Sequence, residues 1–132
     1  FSPVEYATPL KVTVKATHDE VRQIIHTIDD QTTRFVVNRN DGDLLIDDIG
    51  TEVSYSKEKV FTVGRNDPLQ SGADVTCSAH FRRGKWDARI QTKNQLTCDS
   101  SHFYLKATVQ TFIGAKPFIE RQFKTSIKRD CI

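Results

Sequence analysis

Phe81-Arg82-Arg83-Gly84-Lys85-Trp86-Asp87-Ala88-Arg89-Ile90-Gln91-Thr92-Lys93-Asn94-Gln95-Leu96 decides the fold class. After the glycine the chain alternates in polarity. Trp86, Ala88, Ile90 and Leu96 share one parity, while Lys85, Asp87, Arg89, Gln91, Lys93 and Gln95 share the other. A period of two places the two sets on opposite sides of a pleated strand. The polar row reads as a solvated sheet face, and the apolar row reads as a core face.

The same period recurs on both sides of this stretch. Val75, Cys77, Ala79 and Phe81 alternate with Asp74, Thr76, Ser78 and His80. Phe103, Leu105, Ala107, Val109 and Ile113 alternate with Lys106, Thr108 and Gln110, and Ile119, Phe123 and Ile127 continue the pattern. Val, Ile and Thr are abundant and Leu is scarce. That balance favours strand, because β-branched side chains lose χ1 freedom in a helix and pack well on a sheet. Strands are expected near 10–15, 21–28, 33–39, 43–48, 52–63, 73–82, 85–97, 102–113 and 117–127. His18 to Ile28 could instead form a helix capped by Asp19, but Ile24, Ile25 and Ile28 argue for strand. Asn40-Asp41-Gly42-Asp43 and Arg83-Gly84 supply turn residues that tolerate positive φ. Asp67-Pro68-Leu69 and Gly114-Ala115-Lys116-Pro117 interrupt pairing. Connections this short make neighbouring strands antiparallel.

The expected fold is therefore all-β: an antiparallel meander of about eight or nine strands, barrel-like or sandwich. Residues 1–9 read as an extended lead-in from an upstream domain, and 10–132 as a single β domain. At 132 residues the chain has the usual size of one domain. Trp86, Phe81, Phe103 and Phe123 are expected to anchor the core. A sheet with one apolar face must curl on itself or stack on a second layer. Three apolar residues break the pattern. Tyr104 and Phe112 lie on the polar parity of 102–113, and Phe118 on that of 117–127, so they are candidate interface residues.

Charge and motifs exclude several functions. A formal net charge of +2 is too near balance to imply a polyanionic partner. No apolar run approaches a membrane span, and no signal-peptide core is present. Cys77, Cys98 and Cys131 are an odd number without a C-x-x-C spacing, which reads as reduced thiols in a cytoplasmic chain. The chain begins at Phe1 and contains no Met, which reads as a fragment or a processed product. No G-x-S-x-G elbow exists, and Ser71-Gly72 sits in a turn. Cys77 and His80 point to opposite faces, and a Cys98 thiolate served by His102 is the only nucleophile pair in view. His18, His26, His80 and His102 are dispersed without metal-ligand spacing. Asp41, Asp43, Asp47 and Asp48 fail the EF-hand pattern, because Ile46 stands where the loop needs glycine. No catalytic residue, cofactor site or metal site is expected. A basic and aromatic platform around Arg82, Arg83, Lys85 and Trp86 fails because Trp86 opposes Lys85, Arg89 and Lys93.

Three stretches together carry a family resemblance. They are Asp67-Pro68-Leu69-Gln70-Ser71-Gly72-Ala73, Arg83-Gly84-Lys85-Trp86-Asp87-Ala88-Arg89-Ile90-Gln91-Thr92, and Phe118-Ile119-Glu120-Arg121-Gln122-Phe123 closing on Ile127-Lys128-Arg129-Asp130. The chain resembles the extreme C-terminal region of bacterial α/β-hydrolases of the cocaine-esterase and X-Pro dipeptidyl-peptidase type. Lys85 departs from the acid usual there, Phe123 from Trp and Lys128 from Pro. The resemblance implies a non-catalytic C-terminal accessory domain of a serine hydrolase that cleaves esters or amides. The catalytic triad would lie upstream, so none of its members falls on this chain. The implied partners are the upstream hydrolase domains of the same polypeptide, with self-association as the other expected contact. Neither nucleic acid nor a membrane is expected as a partner. The alternatives are a free-standing barrel that binds a small apolar ligand and, third, a nucleic-acid-binding β module.

Overall fold

The computed structural model describes residues 7–29 and 31–130. These form eight strands and no α-helix: β1 (Val12–Ala16), β2 (Asp19–Thr27), β3 (Thr32–Ile46), β4 (Thr51–Gly64), β5 (Gly72–Arg83), β6 (Trp86–Cys98), β7 (His102–Ile113) and β8 (Lys116–Lys128). They make one antiparallel sheet in which β3 to β8 follow each other in sequence order. β1 and β2 both pair with β3, along different parts of its length. Together they act as one edge strand, interrupted at Thr17 and His18. The all-β antiparallel meander is thus observed. The sheet stays open rather than closing into a barrel, because β8 does not pair with β1 or β2.

Two expectations near the N-terminus are corrected. The strands expected at 33–39 and 43–48 are one long strand, Thr32–Ile46, followed by a 3-10 turn at Asp47–Ile49. Asn40-Asp41-Gly42-Asp43 forms a bulge where β3 slips in register against β4. Gly42 has φ +82°, and the Asn40 side-chain oxygen accepts its N–H at 3.0 Å. A glycine at positive φ suits a tight turn and a bulge equally, so composition could not separate them. A Cβ on Gly42 would also meet the Ala16 carbonyl oxygen at 2.2 Å, at the end of β1. The other loops match their chemistry. Gly84-Lys85 links the paired Arg83 and Trp86, with Gly84 at φ +58°. Gly114-Ala115 repeats the same two-residue hairpin between Ile113 and Lys116.

The register fixes which residues share a face, since cross-strand partners lie on the same side. Phe81 opposes Val53 and Ala88, Arg83 opposes Trp86, Phe103 opposes Ile127, and Ala107 opposes Phe123. The four expected core anchors therefore do share one face. Their burial is a different matter. Trp86 is 45% and Phe123 59% exposed, Phe81 and Phe103 are half-buried, and no hydrophobic residue among those described is fully buried. The reason is architectural: a single layer covers each side chain only laterally, and a core needs a second layer.

Candidate functional site

The uncovered apolar face is the most distinctive surface of the molecule. The chain exposes 10263 Å². A compact monomer of its mass exposes roughly 7,000 Å², so about 3,000 Å² is in excess. Aromatic rings form two groups on this face. Phe35 stacks on its cross-strand partner Phe61, with centroids 6.4 Å apart and planes 19° from parallel. Tyr55 meets Phe81 edge-on at 6.0 Å, and Phe81 lies 6.5 Å from Trp86.

β4 joins the two groups. Tyr55, Lys57, Lys59 and Phe61 alternate along it, so two lysines sit between two aromatics on one side. Arg39 opposes Lys57 on β3, and Arg22 on β2 opposes Val37 beside Lys59. A groove of about 360 Å³ opens here between Phe35, Phe61, Arg39 and Lys59. The arginines are paired: Arg22 with Glu20 at 2.5 Å, and Arg39 with Asp41 and, at 3.7 Å, Glu20. The Asp41 carboxylate pushes the Arg39 guanidinium above its ordinary pKa. No carboxylate among the described residues lies within ion-pair distance of Lys57 or Lys59. The parity of 52–63 is the sequence signal for this patch.

The opposite face is polar and carries several cross-strand pairings. Arg82 pairs with its cross-strand partner Glu52 at 3.1 Å. His80 Nε2 lies 2.8 Å from Asp87. Arg89 stacks on Phe112, 4.4 Å from guanidinium carbon to ring centroid. Gln110 and Gln122 both donate to Glu120, at 2.7 and 2.9 Å, and hold that carboxyl below its ordinary pKa.

The three candidate interface aromatics do not form one cluster. Phe112 is half-buried under Arg89, beside the β7–β8 bulge that carries Phe118, which is 68% exposed. Tyr104 lies near the other end of β7, where it donates its hydroxyl to Asp99 at 2.5 Å. The Asp99 carboxylate also accepts the N–H groups of Ser101 and His102 and the Ser101 hydroxyl, at 2.7, 2.8 and 2.9 Å. These bonds, the Tyr104 hydroxyl first, hold Asp99 well below the usual carboxylate range and raise the Tyr104 phenol. Arg129 completes the turn. It donates to the Asp99 carbonyl at 2.7 Å, lies over Phe103 at 5.0 Å, and its N–H reaches the Ser101 carbonyl at 2.8 Å.

Chemistry-bearing residues elsewhere are dispersed or engaged. The Cys98 thiol faces the carbonyls of Leu69 and Ser71 at 3.8 and 3.9 Å, and the His102 ring is bonded to the Ser101 hydroxyl. Asp47 accepts the Thr13 hydroxyl at 3.0 Å, away from Asp41. Among the described residues no group of three His, Cys, Asp or Glu is placed to hold a metal. Cys131 lies outside the described residues. No helix among those described is long and apolar enough to cross a membrane.

No protein-family profile, curated protein or solved structure matches the chain.

Proposed function

We propose that this chain is a non-catalytic accessory domain of a serine hydrolase acting on esters or amides, of the type whose C-terminal region it resembles. The observation that carries the reading is the apolar sheet face without a second layer. Such a face suits a domain that works packed against the rest of a larger enzyme. The roles open to it are packing, assembly and shaping access to a site held elsewhere.

The stretches that carry the resemblance also perform structural tasks here, as expected of an accessory domain. Asp67 caps the 3-10 turn Pro68–Gln70 by accepting the Leu69 N–H at 2.9 Å. Arg83 to Trp86 makes the β5–β6 hairpin, and Arg129 ties the chain to the Asp99 turn. Cys77 and Cys98 are free thiols, which fits a reducing cytoplasm. A barrel for a small apolar ligand is less well supported, because the open sheet encloses no lumen.

Sequencing the coding region upstream of the Phe1 codon tests this reading. An in-frame α/β-hydrolase domain with a nucleophile elbow is expected. The purified 132-residue chain should then fail to turn over a p-nitrophenyl ester that the whole polypeptide hydrolyses. An unrelated upstream domain, or turnover by the isolated chain that persists in Cys98→Ala, would overturn it.

A further inference from the structure

The two faces of the sheet differ in charge as well as polarity. The near-zero net charge conceals this. On the apolar face, the strand positions carry Arg22, Arg39, Lys57, Lys59, Arg83, Lys116 and Arg121, against Glu20 as the one acid at a paired position among the described residues. The carboxylates Glu52, Glu58, Asp74, Asp87 and Glu120 lie on the polar face, among comparable numbers of cations. The apolar face is therefore basic, and Lys57 and Lys59, which form no ion pair among the described residues, sit near its middle.

We propose that the apolar face docks a protein layer that is itself largely apolar and that places carboxylates opposite Lys57 and Lys59. This deepens the accessory-domain reading and rests on it for the partner's being part of the same enzyme. Area and charge select this occupant. The excess of about 3,000 Å² on this one chain is ample for a stable protein interface, which takes roughly 800 Å² per partner. Covering the face without acids would desolvate two ammonium groups with no counter-charge, which is costly.

Two other occupants fit less well. A second copy stacked face to face would bring like charges together across the interface. A single-stranded nucleic acid would satisfy the lysines and stack on Phe61 and Tyr55. It would leave Val12, Val14, Leu105, Ile119 and Ile127 bare, since nucleic-acid interfaces are polar. Those five residues belong to the same face as Phe61 by register.

The sole tryptophan reports on this surface, because Trp86 lies on it and is 45% exposed. The probes are a twelve-residue amphipathic strand peptide alternating leucine with glutamate, its lysine counterpart, and a twelve-nucleotide oligothymidylate. The glutamate peptide should shift Trp86 emission to the blue and bind at least tenfold tighter than the lysine peptide. Lys57→Glu with Lys59→Glu should invert that preference, and Lys57→Gln with Lys59→Gln should erase it. Equal affinity for both peptides, or no binding of either, would overturn the proposal. Tighter binding of the oligothymidylate would assign the face to nucleic acid. Dilution-dependent Trp86 protection, with dimers in sedimentation that survive the Lys→Glu changes, would assign it to a second copy. None of these outcomes alters the result of sequencing the upstream coding region, so the two readings fail separately.

Discussion

Phe81 and Trp86 face each other across the β5–β6 hairpin, with ring centroids 6.5 Å apart and planes inclined by 30°, yet Trp86 keeps 45% of its surface in solvent. The pair holds the hairpin laterally without sealing it. Truncating a fully buried Trp costs about 3–5 kcal/mol. Trp86→Ala in the isolated chain should therefore cost less, roughly 1–2 kcal/mol. Urea denaturation followed by circular dichroism measures this. A loss above that range would mean that a covering layer already exists in the chain alone.

The Asp99 turn predicts a pH signature. The folded carboxyl titrates below its unfolded value, so its stabilisation is complete above the ordinary carboxylate pKa of about 4. That stabilisation is lost as pH falls towards the depressed folded value. Tyr104→Phe removes the leading cause of the depression. The variant should be less stable than the parent at pH 6, and the gap should narrow below about pH 4. A gap that stays constant from pH 6 to pH 2.5 would show that Tyr104 acts by packing alone.

The same bond has an alkaline limb. The Tyr104 phenol titrates above its ordinary value, so its contribution is present below about pH 10 and is lost as pH rises through the raised folded value. Ultraviolet titration should show Tyr104 ionising late, and Asp99→Asn should bring its ionisation to lower pH. A late tyrosine that persists in Asp99→Asn would contradict the assignment.

Glycine substitutions should separate a bulge from a hairpin. Gly42→Ala forces a Cβ against the Ala16 backbone at positive φ and should cost about 3 kcal/mol or more. Gly84 has a similar φ but open space around it, so Gly84→Ala should cost only about 1 kcal/mol. Equal costs at the two positions would mean that β1 does not pack against the bulge as described.

Legibility in the sequence followed the physics of each feature. Period-two alternation placed β4 to β8 within a few residues, because each is a half-solvated strand. β2 was also readable, since Ile24 and Ile25 disfavour helix. The bulge at Gly42 was not, because bulge and turn share one local chemistry and only the pairing of both flanks with β4 separates them. Face membership of Phe81, Trp86, Phe103 and Phe123 was legible, but their burial was not. Parity tells which side a residue takes, whereas burial depends on whether a second layer is present. The patch of Lys57 and Lys59 could be found by carrying parity through 52–63. That the acids near it pair with Arg22 and Arg39 and not with the lysines depends on cross-strand neighbours, which sequence spacing does not reveal.

Acrylamide quenching of Trp86 tests the central claim most directly, compared between the chain alone and the chain saturated with the glutamate peptide. A docked apolar face predicts red-shifted, readily quenched emission from the isolated chain. In the complex, emission should be blue-shifted and protected. Equal quenching in both would contradict the claim that this face is a docking surface.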